Sequence, residues 1–458
     1  MRIALLSCYE LGHQPHGLAM PLAFLERAGH RPVVQDLAVD RLDEELIRTA
    51  EFVGISVPMH TALRLGVRVA ARVRELNPSA HLCFFGLYAP LNEAYLRTSG
   101  ADSVLGGEHE VELVALIDRL GSGARDGRLP RLRPAVTLAK LSFPRPQRTG
   151  LPQLDRYAKL IRDGREHVAG YTETSRGCLH MCRHCPIPPV YGGRFFVVHR
   201  ETVLADLAAQ VDQGAAHITF GDPDFFNGPK HGMAIVRELH RIWPALTFDV
   251  TIKISHLLAH RALLAELASL GCAFVVSAVE SLDDGVLARL DKGHTRADFE
   301  QALGLARRAG LVLRPTFVPF TPWTTLDQIA DLVDFLARED LIGCVDPVQL
   351  SVRLLVPPGS LLLGPDTRAA FGELDSAALS YQWVHPDPRV DRLQQEIASI
   401  AADDADDAAT DTTLDPAVVF ARIRELVHAA SGRDAVQTLA STRPPGPRPP
   451  RLSESWFC

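Results

Sequence analysis

The most informative segment of the chain reads Thr174-Ser175-Arg176-Gly177-Cys178-Leu179-His180-Met181-Cys182-Arg183-His184-Cys185. It spaces three cysteines as Cys-x3-Cys-x2-Cys on one predicted loop, so their thiolates can face a single metal centre. Thiolates select zinc, copper(I) or iron–sulfur clusters. Three protein ligands leave one coordination position open, which favours a catalytic site. The alternative is a structural zinc site whose fourth ligand lies elsewhere, such as His184 or Cys272.

Alternating strand-like and helix-like segments continue from this motif to about residue 355. Six βα units in series predict a closed or partial TIM-like (β/α)6 parallel barrel, with its chemistry at the carboxyl ends of the strands. We place this barrel within residues 166–355. The predicted strands are 171–175, 217–221, 247–253, 273–279, 312–317 and 348–354.

Residues 1–120 show a second alternating series, with short apolar runs at 3–7, 33–37, 52–57, 81–86 and 103–105. An α/β alternation of this kind predicts a doubly wound (Rossmann-like) parallel sheet with helices on both faces. Ligands in such folds bind beyond the carboxyl ends of the strands. His13, His16 and His60 occur at such positions.

Three further segments complete the predicted organisation. Residues 121–165 are rich in Gly, Pro and Arg and predict a linker wrapped on the surface. Residues 356–440 predict a small helical C-terminal extension. Residues 441–458 form a Pro-rich tail that we expect to be extended and mobile, ending in Trp456, Phe457 and Cys458.

The composition limits the classes of function. The 458-residue chain carries a net charge of −7 and 47% hydrophobic residues, which predicts a large core and argues against nucleic-acid binding. No apolar run reaches the roughly 18 residues that a membrane helix needs, and we find no export signal. We therefore expect a cytoplasmic protein whose cysteines are thiols or metal ligands.

The cysteine triplet, followed by the βα series, resembles the radical S-adenosylmethionine (radical SAM) enzymes. The resemblance implies a [4Fe–4S] cluster held by Cys178, Cys182 and Cys185, with SAM chelating the fourth iron. An electron donor such as flavodoxin or ferredoxin would reduce the cluster. Reductive cleavage of SAM would then start radical chemistry on a small-molecule or peptide substrate that the sequence does not identify.

The resemblance also implies residues that contact SAM. Asp222 and Asp224 follow the second barrel strand, and Glu280 matches the family's Glu-Ser after the fourth. The alternatives are an Asp-Pro turn at Asp222, an ion pair between Glu280 and Lys292, and buried ion pairs for the strand-ending cations. The full predicted set is Gly221, Asp222, Asp224, Lys253, Ser277, Glu280, Arg314 and His184.

The N-terminal domain resembles the cobalamin-binding-like domain that precedes many radical SAM barrels. The family's cobalt-ligating Asp-x-His-x-x-Gly is missing. We therefore favour a degenerate domain that shapes the substrate site over one that binds cobalamin. A cobalamin-dependent radical methyltransferase remains one alternative, and a non-catalytic zinc-binding scaffold is another.

Residues 9–18 and 185–194 give a narrower resemblance, to a bacterial radical SAM group whose members end in Cys-Cys-Ala-Glu-Pro or Cys-selenocysteine-Ala-Glu-Pro. This chain ends at Cys458. We expect the next codon to be UGA, read here as a stop but as selenocysteine in the cell. On this hypothesis the Cys458 thiol and the selenocysteine would deliver a soft nucleophile, bind a metalloid or act as a redox couple. A further alternative is that a SAM-derived group is transferred to a soft sulfur, selenium or arsenic acceptor in the tail.

Overall fold

The computed structural model describes residues 1–122, 136–409, 416–433 and 448–454. Within these ranges the chain forms two α/β units followed by C-terminal helices. No helix in the described ranges combines the length and the apolar character needed to cross a membrane.

The first unit is a parallel sheet with helices on both faces. Its strands are β1 (Ile3–Ser7), β2 (Val33–Asp36), β3 (Phe52–Ser56), β4 (His81–Phe85), β5 (Ser103–Gly107) and β6 (Val136–Thr137). Its helices are α1 (His16–Arg27), α2 (Glu44–Thr49), α3 (His60–Leu76), α4 (Glu93–Thr98) and α5 (Glu110–Gly121). The strand order β2-β1-β3-β4-β5-β6 confirms the doubly wound prediction.

The apolar run of β1 explains its central place. Ala4 and Leu6 pack into the core on one face of the sheet, and Ile3 and Leu5 pack into the core on the other. A strand buried on both faces needs an uninterrupted apolar sequence. Residues 3–7 supply that sequence, whereas an amphipathic strand would leave one face polar.

The second unit is a curled sheet in which β8, β11, β12, β13 and β14 run parallel. Its strands are β7 (Lys159–Arg162), β8 (Arg165–Thr172), β9 (Ser175–Gly177), β10 (Phe195–Val197), β11 (His217–Phe220), β12 (Thr247–Thr251), β13 (Cys272–Glu280), β14 (Leu313–Phe317), β15 (Leu374–Asp375), β16 (Ser380–Tyr381) and β17 (Arg451–Leu452). The main sheet has the order β14-β13-β12-β11-β8-β7-β17, and β9–β10 and β15–β16 are separate hairpins. This arrangement confirms the partial barrel.

Helices cover the outer face of this sheet and form the C-terminal extension. They are α6 (Ile187–Tyr191), α7 (Arg200–Asp212), α8 (Pro229–Ile242), α9 (Ile254–Ala259), α10 (Leu264–Ser269), α11 (Asp284–Arg289), α12 (Arg296–Arg308), α13 (Leu326–Arg338), α14 (Pro388–Ala409) and α15 (Pro416–Ser431). Helix α13 illustrates why these segments form helices. Thr325 and Gln328 form a capping box at its start. Its apolar residues, including Ile329 and Val333, lie on one face and pack into the core.

The predicted sixth barrel strand, 348–354, is wrong. Residues Pro347–Ser351 form a 3-10 helix, and only Arg353 makes an isolated parallel bridge, to Phe320. The reason lies in Gln349, whose side-chain oxygen accepts the backbone N–H of Phe317 at 3.3 Å. A side chain thus satisfies the donor at the end of β14, and Pro347 favours a helical turn instead of an extended start.

Two segments predicted to lie loosely on the surface are built into the fold. In the linker, Arg148 is buried and forms an ion pair with Asp206 at 2.8 Å. In the tail, the expected mobility is wrong for residues 448–454, because β17 pairs antiparallel with β7 and buries Leu452 against Phe274. The rest of the tail, including Trp456, Phe457 and Cys458, lies outside the described residues.

Candidate metal and cofactor site

The loop that carries the three cysteines connects two short paired strands. β9 and β10 run antiparallel, with Gly177 opposite Phe195, and hold the two ends of the loop together. Gly177 precedes Cys178 at φ +75°, and a Cβ atom there would lie 2.4 Å from the carbonyl oxygen of Arg194. Glycine is required here because any side chain would push the two strands apart.

The cysteine thiols are close enough to influence one another. Cys178 and Cys182 are buried, and Cys185 is partly buried. Burial, with a smaller contribution from the neighbouring Cys182 and Cys178, raises the pKa of Cys185 to about 12. A thiol of this kind ionises at neutral pH only when a metal centre compensates its charge.

The spread of the sulfur atoms bears on the type of centre. One zinc ion holds sulfur at about 2.3 Å, so two of its thiolates lie at most about 4.6 Å apart. Among the described residues, the three ligand groups that do lie mutually within 4.8 Å are not cysteines; they are His180, Asp224 and His256. The cysteines therefore suit a multinuclear cluster better than a single zinc ion.

Two lysines bring positive charge to the cysteine loop. Lys253 follows β12, and its Nζ lies 3.5 Å from Cys182 Sγ. Burial alone would lower the pKa of Lys292, but Glu280, Cys182 and Cys185 together raise it. Cations at these positions stabilise an anionic centre bound to the thiolates.

Asp222 anchors the start of the cysteine loop. Its carboxylate accepts hydrogen bonds from the Thr174 N–H at 2.8 Å and from the hydroxyls of Thr174 and Ser175, each at 2.6 Å. Gly221 is pressed against Tyr171, whose hydroxyl would lie 1.8 Å from an added Cβ. These predicted SAM contacts thus have structural partners within the protein.

Glu280 closes the site from the end of β13. It adopts φ +67°, next to a shift in the pairing register of β13 and β14. Its carboxylate accepts hydrogen bonds from Lys292 Nζ at 3.0 Å and from His184 Nε2 at 3.1 Å. Burial would raise the pKa of Glu280, but Lys292 and His184 hold it well below its usual range. The structure therefore brings His184 and Glu280 together beside Cys185, and the ion pair weighed from the sequence is present.

Two other predicted SAM contacts, Ser277 and Arg314, have hydrogen-bond partners within the protein. Ser277 is buried within β13, and its hydroxyl donates to the carbonyl of Ile252 at 2.7 Å. Arg314 is the second residue of β14, so it lies towards the amino end of the strand and does not end it as predicted. Its guanidinium contacts Asp346 at 3.2 Å and the carbonyl of Pro450 at 3.4 Å. Arg314 therefore holds the tail segment, away from the carboxyl edge of its own strand.

The sequence predicted Asp224 as a SAM contact but did not indicate the two histidines that converge on it beside the cysteine loop. Asp224 Oδ2 lies 3.2 Å from His180 Nε2 and 2.7 Å from His256 Nδ1. His180 stands inside the cysteine motif, Asp224 follows β11, and His256 is in α9. The three positions are far apart in sequence. The available signal was only that Asp224 and His256 follow parallel strands, where loop residues converge, and that His180 lies inside the cysteine motif.

Charged residues fill the contact between the two units. Arg176, on β9, forms ion pairs with Glu110 and with Glu173, and it lies 3.7 Å from Glu108. The Tyr191 hydroxyl also donates to Glu108, at 3.0 Å. Burial raises the pKa of Glu108 to about 7. The carboxyl end of β5 is thus occupied by protein side chains.

The histidines at the first sheet's carboxyl edge are also enclosed. His13 and His16 are buried, with their rings 4.6 Å and 5.8 Å from that of Tyr171. Burial lowers the pKa of His13 to about 3. His60 Nε2 contacts the carbonyl of Ala378 at 2.9 Å, beside the β15–β16 hairpin. None of these three imidazoles is presented at an open edge.

Part of the chain is similar to a known protein family. Residues 172–336 match the family model described as Radical SAM superfamily. No sequence among the curated proteins matches the chain significantly.

Solved structures extend the likeness beyond this domain. The radical S-adenosylmethionine methyltransferase TsrM from Kitasatospora setae, solved with cobalamin and a [4Fe–4S] cluster, is 20% identical; the match covers 74% of this chain and 73% of that chain, with a TM-score of 0.60. The cobalamin-dependent S-adenosylmethionine radical enzyme OxsB is 15% identical over 93% of this chain and 72% of that chain, with a TM-score of 0.70. At these identities the likeness establishes a shared fold.

Proposed function

We propose that this chain, whose residues 172–336 form a radical SAM domain, is an enzyme that holds a [4Fe–4S] cluster through Cys178, Cys182 and Cys185. When bound, the cluster supplies one-electron reductive cleavage of SAM, which starts radical chemistry on a substrate. The observation that carries the proposal is the set of three thiols on one loop, with Lys253 and Lys292 beside them. We further propose that a flavodoxin or ferredoxin delivers the electron.

The residues present fit the cluster. Three thiols provide three ligands and leave one position without a protein donor, as a chelating substrate requires. The two lysines offset negative charge at the thiolates. Gly177 and Asp222 hold the loop in place before any group binds, so ligand positions do not have to be organised at the moment of binding.

For SAM itself we propose three contacts from the predicted set. Lys253 lies beside Cys182 and offers a cation for the SAM carboxylate. Glu280 lies at the carboxyl end of a barrel strand, where its carboxylate can accept hydrogen bonds from the ribose hydroxyls of SAM. His184 lies beside it and is hydrogen-bonded to it. His184 Nδ1 is buried without a hydrogen-bond partner among the described residues, so it has a donor or acceptor free for a ligand.

The fold shared with TsrM and OxsB favours a second candidate, a cobalamin-dependent radical SAM enzyme. The residues of the first sheet do not fit the corrin well. His60 is bonded to Ala378, and His13 and His16 are buried against Tyr171. We therefore propose that this domain binds no cobalamin and instead packs against the barrel to shape the substrate site.

Cobalamin binding is tested by its visible absorbance. Full-length protein incubated with hydroxocobalamin under anaerobic conditions and then desalted should retain no corrin. One corrin per chain would contradict the degenerate-domain proposal and support the methyltransferase alternative.

The main proposal is tested by anaerobic reconstitution with iron and sulfide. We expect about four iron atoms per chain, and 5′-deoxyadenosine or another SAM fragment after addition of dithionite and SAM. Cys182→Ala should lose both the cluster and the product. Cys344→Ala, a buried cysteine outside the motif, is the matched control and should keep both. Unchanged turnover in Cys182→Ala would overturn the ligand assignment.

A further inference from the structure

A second ligand set lies next to the cysteine loop and takes no part in the proposed cluster. The atoms His180 Nε2, Asp224 Oδ2 and His256 Nδ1 all lie within 4.8 Å of one another. They come from three separate elements: the cysteine loop, the turn after β11 and helix α9. Three unrelated segments thus direct one potential ligand atom each at the same point.

The separations match those around a metal ion. Ligands held tetrahedrally at 2.0–2.1 Å from zinc lie about 3.3 Å from one another. Asp224 Oδ2 is 3.2 Å from His180 Nε2 and 2.7 Å from His256 Nδ1. The other carboxylate oxygen of Asp224 is occupied, because it accepts the Phe226 N–H at 3.1 Å. Both imidazoles therefore converge on the one oxygen that remains available.

Hydrogen bonding accounts for only one of these two contacts. His180 Nε2 is hydrogen-bonded to Asp224 Oδ2 at 3.2 Å. His256 Nδ1 is buried and has no hydrogen-bond partner among the described residues, although Asp224 Oδ2 is only 2.7 Å away. The two atoms are close without the alignment that an N–H···O bond needs. A buried polar atom in this condition needs another partner, and a cation shared with the carboxylate would supply one.

We infer that His180, Asp224 and His256 form a mononuclear site for a divalent transition ion, of the zinc or iron(II) class. Two imidazoles and a carboxylate are the donor set that such ions prefer, whereas magnesium and calcium select oxygen ligands. The His180 and His256 side chains remain 22% and 19% exposed, so solvent can supply a fourth ligand. Because His180 lies between Cys178 and Cys182, the ion ties the cysteine loop to the carboxyl ends of β11 and β12.

This site does not depend on the cluster, so the two are tested separately. Full-length protein is first reconstituted with iron and sulfide, then equilibrated with Zn2+ and desalted, and zinc and iron are counted per chain. We expect one zinc in addition to the cluster iron. His256→Ala and Asp224→Asn should weaken zinc binding at least tenfold while the iron content stays near that of the wild type.

The matched control is His260→Ala, which removes the next imidazole on the same segment; its ring lies 5.7 Å from that of His256. This variant should bind zinc like the wild type. A second measurement uses Co2+ in a Cys178→Ser/Cys182→Ser/Cys185→Ser variant. Nitrogen and oxygen ligation predicts weak d–d absorption without a thiolate charge-transfer band.

Three outcomes would overturn the inference. The first is zinc binding that is equal in the wild type, His256→Ala and Asp224→Asn, and the second is no zinc bound by the wild type. The third is stoichiometric displacement of zinc by SAM, because the three side chains would then belong to the SAM site predicted at Asp224. If zinc binds to a chain that holds no cluster iron, the inference stands and the proposed function fails.

Discussion

The two parallel sheets of this protein differ in the side chains that lie at their carboxyl edges. At the barrel edge, burial raises the pKa of the Cys178 and Cys185 thiols, and Lys253 lies beside Cys182. His184 Nδ1 and His256 Nδ1 are buried there without a hydrogen-bond partner among the described residues. At the edge of the first sheet, Arg176 joins three glutamates, and His60 is bonded to Ala378. Buried polar atoms without partners occur at this edge too, including His13 Nε2 and Glu108 Oε2. Topology brings loop residues together at both edges, but the charges that meet there differ: cations beside thiols at the barrel, and carboxylates around one arginine at the first sheet.

The largest effect is expected at the hairpin that frames the cysteine loop. Gly177→Ala places a Cβ 2.4 Å from the Arg194 carbonyl oxygen at φ +75°, so the hairpin must distort. We expect iron content after reconstitution to fall by more than tenfold. Gly192→Ala also lies at positive φ, +58°, but meets nothing within 4 Å, and it should cost only about 1 kcal/mol of stability. Equal iron content in the two variants would contradict the role of the hairpin.

The second-largest effect is expected at the carboxyl edge of the first sheet, where Arg176 lies among three glutamates. Arg176→Met leaves Glu108, Glu110 and Glu173 without their shared cation. Removing one partner of a buried ion pair costs about 3–5 kcal/mol, which denaturant unfolding would detect. Arg241→Met breaks an exposed pair with Glu238 and should leave stability unchanged. If Arg176→Met is equally harmless, Arg176 does not stabilise the three glutamates at this edge.

A third prediction concerns pH and the same edge. Burial raises the pKa of Glu10 to about 8, from an ordinary value of 4.5. The folded state then binds a proton that the unfolded state has released, so this residue's contribution to stability is full below pH 4.5 and is lost as pH rises through 8. Glu10→Gln should flatten the fall in unfolding free energy between pH 5 and 8. Glu75→Gln, on the exposed face of α3, should retain the wild-type profile.

The smallest effect is expected where the tail meets the first sheet. The Tyr9 hydroxyl donates to the carboxylate of Glu454. Tyr9→Phe should weaken docking of the tail by about 1 kcal/mol, measured as faster hydrogen exchange at Arg451 and Leu452. Tyr95→Phe, on α4, is the control and should not change this exchange. No difference between the variants would show that the hydrogen bond between Tyr9 and Glu454 does not contribute to docking of the tail.

The sequence predicted the parts of the fold that depend on local patterns. The apolar run 3–7 coincides with β1, and the cysteine spacing located the loop at Cys178. The sixth barrel strand failed because Gln349 satisfies the β14 backbone through its side chain, a contact that strand propensity does not encode.

The site was less predictable because it depends on where each residue lies along its strand and on contacts between distant segments. Arg314 sits one residue from the start of β14, so the expectation that it ends the strand placed it at the wrong edge. His180, Asp224 and His256 converge only when three loops are brought together by the curl of the sheet. Spacing along the chain carries no information about such a meeting.

The pairing of β17 with β7 has a consequence during translation. Leu160 emerges from the ribosome about 290 residues before its partner Leu452, which at 5–20 residues per second is roughly 15–60 s. Throughout that interval the outer strand of the nascent sheet presents unpaired backbone groups, the kind of edge on which chains aggregate. Residues Arg451 and Leu452 therefore act as an intramolecular cover for a strand edge that is synthesised long before them.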